Sequence, residues 1–231
     1  MTRIQEDILG LSFEEADSIL KTITQISDKI VFSTSFGKED QVITHMITSN
    51  QLPIDIFTLD TGRLFEETYA VFDRTVKKYK KKIKTYYPNR DAVEEMVSKS
   101  GPYSFYENVE ARKTCCAIRK IEPLKRALAG QEVWITGLRQ AQSSNRNQMT
   151  TVEWDESNQI VKIHPLFYWP DDKIEAYINV FNVPVNTLHA KNFPSIGCSP
   201  CTRAIMPGED NRAGRWWWEN SKKECGLHQT K

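Results

Sequence analysis

Short apolar, β-branched runs alternate with amphipathic stretches through the first half of the chain. Phe13–Ile26 has apolar positions at helical spacing, with Ser12 as its N-cap and Glu15 completing a capping box. Lys29–Thr34 and Ile54–Leu59 read as buried strands, and Glu39–Thr48 and Phe65–Tyr79 as the helices that follow them. Lys82–Tyr87 predicts a third strand, Ala92–Ser98 and Ile118–Ala129 two more helices, and Glu132–Gly137 a fourth strand. This alternation predicts an α/β fold, a parallel sheet with helices on both faces. Ligands in such sheets bind beyond the carboxyl ends of the strands. Three turns fall there: Ser33–Gly37, Asp60–Gly62 and Gly137–Arg139.

After Arg139 the pattern changes. Thr150–Trp154 and Gln159–Ile163 predict a hairpin, and Asp171–Phe181 a helix with two acidic residues in its first turn. From His189 on, periodicity gives way to Gly, Pro, Cys, Arg and Trp. No internal repeat or linker stands out, so residues 1–231 read as one domain, with 214–231 as a functional C-terminal segment.

Composition narrows the partners. Formal net charge is +1, with 39% hydrophobic and 26% charged residues. That balance favours neither a nucleic acid nor a membrane surface. The N-terminus lacks the long apolar run of a secretory signal, and no stretch approaches the roughly 20 apolar residues that cross a bilayer. A cytoplasmic, reducing location is expected, where paired cysteines are metal ligands or redox groups more often than disulfides.

The five cysteines fall in three places: Cys115-Cys116, Cys198-Ser-Pro-Cys201, and Cys225 alone. Four look like ligands of one metal centre. Adjacent thiolates on a strand or extended turn diverge and fit awkwardly around one tetrahedral zinc. An iron–sulfur cluster offers separate irons to separate thiolates, and four thiolates are the count a [4Fe–4S] cluster needs. A zinc knuckle and four buried structural cysteines remain as alternatives. Arg119 and Lys120 follow the pair after two residues, either as cations beside a negative centre or as a solvated basic face. Cys225, flanked by Lys222, Lys223 and His228, reads either as an activated thiol on a closing segment or as an incidental surface cysteine.

Ser33-Thr-Ser-Phe-Gly37 follows a strand and opens a helix. It either cradles a phosphate or sulfate at the helix N-terminus or simply caps the helix. Arg139, Arg146, Arg203, Arg212 and Arg215 recur in loops, where guanidinium forks match such anions. Of Trp216-Trp217-Trp218, at least two are expected to pack in the core.

Taken together, Ser33–Asp40, Leu59-Asp-Thr-Gly-Arg63, Cys115-Cys-Ala-Ile-Arg-Lys-Ile-Glu-Pro-Leu124, Thr136-Gly-Leu-Arg139, Ser195–Arg203, Gly214-Arg-Trp-Trp-Trp-Glu219 and Lys223-Glu-Cys-Gly-Leu-His228 carry a family resemblance. The chain resembles the cluster-containing bacterial adenylyl-sulfate reductases of the PAPS/APS reductase family, over residues 30 to 228. The resemblance implies an adenine-nucleotide α-hydrolase-like (PP-loop) fold. It also implies a [4Fe–4S] cluster on Cys115, Cys116, Cys198 and Cys201, with Lys120 beside it. It makes Cys225 the nucleophile that takes the sulfur of adenylyl sulfate as an S-sulfocysteine. Sulfite would then be released by thioredoxin or a glutaredoxin-like donor. Ser33, Ser35, Gly37, Thr61, Gly62, Arg139, Arg212 and Arg215 become substrate-binding candidates by the same resemblance. It allows a homo-oligomer and implies neither a nucleic-acid nor a membrane partner. Ser-Phe-Gly in the first loop also occurs in relatives that use the 3′-phosphorylated substrate, so dual specificity is a second expectation. A related enzyme that adenylates its substrate with ATP is a rival, but it would carry Ser-Gly-Gly-x-Asp-Ser in place of Ser-Phe-Gly-Lys-Glu-Asp.

Overall fold

The computed structural model describes residues 1–10, 15–142, 146 and 149–219. The chain forms two compact units. One comprises Met1–Thr58, Glu67–Lys84 and Leu128–Thr187; the other comprises Leu59–Glu66, Thr85–Ala127 and the described residues from Leu188 on.

The first unit carries the main core. Its sheet has the order β3-β2-β1-β4-β6-β5, with β1 Ile30–Ser33, β2 Asp55–Leu59, β3 Ile83–Tyr86, β4 Val133–Ile135, β5 Val152–Asp155 and β6 Ile160–Ile163. β1 pairs in parallel with β2 and β4, and β4 in parallel with β6. β5 closes one edge antiparallel to β6, as the expected hairpin. Every residue of β4 and β6 is buried. Burial without alternation means that both faces of these strands are covered.

Lys162 is the unexpected member of that buried row, at 3% exposure. Glu153 and Asp155 across the hairpin lie 3.7 and 3.4 Å from its ammonium, which also sits 4.9 Å from the Trp134 ring centroid. A buried ammonium needs such compensation. The exposed edge is blunted differently, by Lys82 and Lys84 at β3.

The helices are α1 Arg3–Leu9, α2 Ala16–Ile26, α3 Lys38–Ser49, α4 Glu66–Tyr79, α5 Arg90–Ser100, α6 Val109–Cys116, α7 Glu122–Leu128 and α8 Asp171–Val180. α1 was not expected from periodicity. A reciprocal capping box between Thr2 and Gln5 starts it, and Ile8 joins the core. α2 begins at Ala16 with Glu15 as N-cap; the Ser12 cap expected from the sequence lies outside the described residues. The helix expected over 118–129 is present as a π-helical turn, Ala117–Ile121, that continues into α7.

Phe36 fixes the turn between β1 and α3. Its φ is +61°, a costly region for a bulky L-residue. Burial of the ring at 1% exposure and stacking on Phe72 at 4.6 Å hold it there. Phe36→Ala should destabilise the protein by about 3–5 kcal/mol through loss of the ring. Phe36→Gly should cost about 1 kcal/mol less, because glycine relieves the left-handed strain. Urea denaturation checks the order; an alanine variant more stable than the glycine variant would contradict the strain.

Candidate functional site: a cysteine pocket and an anion loop

The cysteine pocket belongs to the second unit. Cys115 and Cys116 end α6, so the extended conformation expected for them is corrected to helix. On a helix, neighbours still diverge, by about 100° per residue; Cys115 is buried and Cys116 half-buried. Cys198 precedes a 3₁₀ turn, Ser199–Cys201, that brings Cys201 round. These four cysteines are free thiols and line one pocket, with a cavity of only about 20 Å³ at its heart and a mouth open to solvent. Among the described residues, no three His, Cys, Asp or Glu side chains stand close enough together to hold a single metal ion.

Four cations line the same pocket: Arg63, Arg112, Arg119 and Lys120. The turn after β2 knits it together. Arg119 donates to Thr61 O at 2.7 Å, and Thr61 Oγ1 lies 3.2 Å from Cys198 Sγ. Ser199 N–H donates to Arg63 O at 2.8 Å. Gly62 takes φ +70° while its N–H donates to Asp60. Thr61 and Gly62 therefore shape the cysteine pocket directly.

Burial pushes the Cys201 thiol up to about 12, and the neighbouring Cys198, Cys116 and Cys115 add to the effect against Arg215. Cys115 is raised as well, mainly by burial, with Arg119 opposing. Four thiolates packed this closely are unfavourable without more positive charge. The Nε of Arg119 is buried with no hydrogen-bond partner.

Arg215 is buried under the Cys198 segment. It donates to Ser195 Oγ at 3.1 Å, and a Cβ on Gly197 would sit 2.3 Å from its Nη2. A larger residue there would have to displace the Arg215 guanidinium. Trp216 is buried and Trp217 exposed, while Trp218 packs beside Phe105 and Trp216 in a small core. Arg212 is half-buried, with its N–H donating to Asp210. Cys225 lies outside the described residues.

The anion loop belongs to the first unit. Gly37 is the N-cap of α3. Ser35 donates from both its N–H, at 2.6 Å, and its hydroxyl, at 2.7 Å, to Asp40 Oδ2. The Gly37 backbone bonds the same carboxylate. The loop thus holds an anion, and in this structure that anion is its own Asp40. Ser33 is engaged too: its hydroxyl accepts from Trp134 Nε1 at 2.8 Å. Gly137 closes over Asp40, where a Cβ would lie 2.2 Å from Oδ1.

Arg139 is likewise committed. It donates to Glu39 at 2.9 Å, to Trp169 O at 2.9 Å and to Asp171. Behind it, Thr136 Oγ1 lies 2.7 Å from His164 Nδ1, and His164 Nε2 lies 3.2 Å from Glu153. Burial lowers the His164 pKa, against Glu153.

Sequence reasoning did not single out Asp40, Arg63, Arg112 or His164. Asp40 and Arg63 stood within the motifs. The i, i+3 and i, i+4 spacing of Arg112 to the cysteine pair would have exposed it, had α6 been expected.

A profile of the phosphoadenosine phosphosulfate reductase domain matches residues 29–204. The chain belongs to this family. It is 49% identical to an adenosine 5′-phosphosulfate reductase of Burkholderia cepacia over 223 residues, covering 96% of this chain and 89% of that one. It is also 49% identical to the enzyme of the same description from Allochromatium vinosum, over 98% of this chain and 89% of that one. Among solved structures, the Candida auris phosphoadenylyl-sulfate reductase in complex with phosphate matches with a TM-score of 0.74 and 26% identity. That match covers 88% of this chain and 98% of that chain. Candida glabrata FMN adenylyltransferase, with TM-score 0.56 and 15% identity over 99% of this chain and 83% of that one, shares the fold. The mostly parallel α/β architecture expected from the sequence holds for this reductase-family chain. Among the described residues, no helix is long and apolar enough to cross a membrane.

Burial raises the Asp40 pKa from 3.8 to about 6, against its bonds from Ser35. The folded state therefore binds the Asp40 proton more tightly than the unfolded chain does. That stability is present below about pH 4 and lost as pH rises through about 6. Asp40→Asn removes the dependence. The stability of the variant relative to wild type should rise by about 2 kcal/mol between pH 4 and 7. Urea titrations at both pH values check this; an unchanged difference would contradict it.

Proposed function

We propose that this chain reduces adenylyl sulfate to sulfite and AMP in sulfate assimilation, with Cys225 as nucleophile and thioredoxin as reductant. The observation that carries the reading is the pocket in which four cysteines and four cations face one another. The relatives named adenosine 5′-phosphosulfate reductase, matched over nearly the whole chain, support the substrate.

The chemistry is two displacements. The Cys225 thiolate attacks the sulfur of adenylyl sulfate and forms an S–S bond. The S–O bond to the phosphate breaks, and AMP leaves with the electron pair. The product on the enzyme is an S-sulfocysteine. A thioredoxin thiolate then attacks the Cys225 sulfur, and sulfite departs with the bonding pair. The second thioredoxin thiol resolves the mixed disulfide, returning Cys225 and leaving oxidised thioredoxin. Two electrons from the dithiol reduce the sulfur.

Cys115, Cys116, Cys198 and Cys201 would hold a [4Fe–4S] cluster. The donor set fits: four buried or half-buried sulfurs that need added positive charge to stand together as thiolates, four cations, and a buried Arg119 Nε with no hydrogen-bond partner. Bound there, the cluster supplies charge and hydrogen-bond acceptors that order the surrounding cations, not electrons for the substrate. Lys120 and Arg119 balance the anionic centre. Ser33, Ser35, Gly37, Thr61, Gly62, Arg139, Arg212 and Arg215 serve substrate binding in this reading. For Ser35 and Gly37 this means exchanging the Asp40 carboxylate for the substrate anion. For Arg139 and Arg215 it means acting through the loops they brace. Residues 1–231 act as one reductase domain, with 214–231 as its catalytic segment, in the reducing cytoplasm.

The resemblance to a phosphoadenylyl-sulfate reductase of Candida auris makes dual specificity the second reading. Cys225→Ser should abolish sulfite release from adenylyl sulfate with thioredoxin while retaining iron and AMP binding. Retained activity in that variant would overturn the nucleophile. Assays with adenylyl sulfate and its 3′-phosphorylated form, side by side, decide specificity.

A further inference from the structure

In the first unit, Thr136 follows β4 and His164 follows β6, at the carboxyl ends of two neighbouring parallel strands. The Thr136 N–H donates to Ile163 O at 2.9 Å, which sets the two residues side by side. Both are buried, His164 completely. The His164 N–H donates to Thr151 O at 2.8 Å, and its carbonyl accepts from the Phe167 N–H at 3.1 Å. Its ring nitrogens meet Thr136 Oγ1 at 2.7 Å and Glu153 Oε1 at 3.2 Å.

Chemistry selects the tautomer. A carboxylate only accepts, so Nε2 carries the proton it donates to Glu153. Nδ1 is then a bare acceptor, and the Thr136 hydroxyl donates to it. With its hydrogen engaged there, Thr136 Oγ1 offers lone pairs to the Leu138 N–H, 3.4 Å away. Burial holds the ring neutral, opposed by Glu153 and helped by the Lys162 and Arg146 cations. Lys162 in turn faces Glu153 at 3.7 Å and Asp155 at 3.4 Å.

Two ties run from His164 to the loop that carries Arg139. One passes from the ring through Thr136 to the Leu138 N–H. The other passes from the His164 carbonyl to Phe167, whose own carbonyl accepts from the Gln140 N–H at 3.0 Å. Leu138 and Phe167 also share a small buried cluster with Met149. Arg139 therefore lies between two tethered neighbours.

We propose that His164 is a positioning residue for Arg139: as a neutral Nε2–H imidazole it sets the Thr136 hydroxyl, and through it the 136–140 loop that carries the guanidinium. The inference rests on the reading of Arg139 as a residue that serves substrate binding. An apolar pair of the same shape would fill this space with no polar group to satisfy. What the hydroxyl–imidazole pair adds is direction, because a fully satisfied buried network admits one arrangement. Direction matters for a guanidinium that must match an anion, since a small misplacement of a binding group is costly in rate. Neither His164 nor Thr136 is a catalytic residue here. Both act through Arg139.

The test uses the full chain, anaerobically purified with its iron and assayed with adenylyl sulfate and thioredoxin. Thr136→Val keeps the shape and removes the hydroxyl; it should lower kcat/KM about tenfold or more. Thr136→Ser keeps the hydroxyl and should recover most of the rate. His164→Gln brings an amide N–H toward Glu153 but leaves Thr136 without its acceptor, so it should match Thr136→Val. His164→Asn keeps an acceptor at the Nδ1 position and should retain most of the rate. In the Arg139→Ala background, Thr136→Val should cause no further loss, the mark of a residue that acts through another. Nitrogen NMR of histidine-labelled wild type, assigned with His164→Asn, should show a bare Nδ1 and a protonated Nε2 at neutral pH. A wild-type kcat/KM in Thr136→Val would overturn the inference. So would equal losses in Thr136→Val and Thr136→Ser, additive losses in the Arg139→Ala background, or a protonated Nδ1. If Arg139→Ala alone keeps the wild-type kcat/KM, or the wild type does not turn over adenylyl sulfate, the underlying reading fails first and takes the inference with it. Those outcomes are distinct because they appear without any change at His164 or Thr136.

Discussion

Four sulfurs share one small pocket, and as thiolates they repel one another. Much of the second unit is arranged around that repulsion. Arg63, Arg112, Arg119 and Lys120 surround the pocket, and Arg215 lies buried beneath the Cys198 segment through the gap that Gly197 leaves. Burial raises the Cys115 and Cys201 thiols, so without a positive centre the pocket favours neutral sulfur. A metal centre reverses that preference, because coordinated thiols give up their protons. The Asp60–Arg63 turn, the end of α6 and the Trp216–Glu219 turn all serve to hold the sulfurs and cations in place.

The first unit solves a related problem with a different group. Its β1–α3 loop gathers N–H and O–H donors, and Asp40 satisfies them from within. The arrangement keeps the donors pointed inward, at the cost of a buried carboxylate. Phe36 bears the backbone strain that glycine would avoid and repays it through its buried ring. Arg139 is balanced by Glu39 and Asp171 in the same way. The loops at this sheet edge are thus preorganised by internal ion pairs and hydrogen bonds.

Much of this was legible in the sequence. The β1, β2 and β4 runs are apolar enough to declare buried parallel strands, and the β5–β6 hairpin followed from two runs around Asp155–Asn158. The cysteine spacing pointed to one centre, and the four described cysteines do share a pocket. Other features were hidden for physical reasons. α6 is short and weakly amphipathic, so the helix carrying Cys115 and Cys116 gave no periodic signal. α1 is held by a cap and one core residue, which periodicity does not detect. Lys162 reads as a polar strand position, and its burial depends on Glu153 and Asp155 arriving from the neighbouring strand. The Arg112–Glu219 pair joins residues 107 apart in sequence, so no local pattern shows that the two meet.

The account stands on the claim that the four-cysteine pocket holds an iron–sulfur centre and leaves Cys225 to react. Iron and acid-labile sulfide, counted on anaerobically purified protein, test it most directly. The account predicts four irons and four sulfides per chain, the content of a four-thiolate cluster, lost together when Cys198 is replaced by serine. Zinc without sulfide, or a full iron content that survives Cys198→Ser, would contradict it.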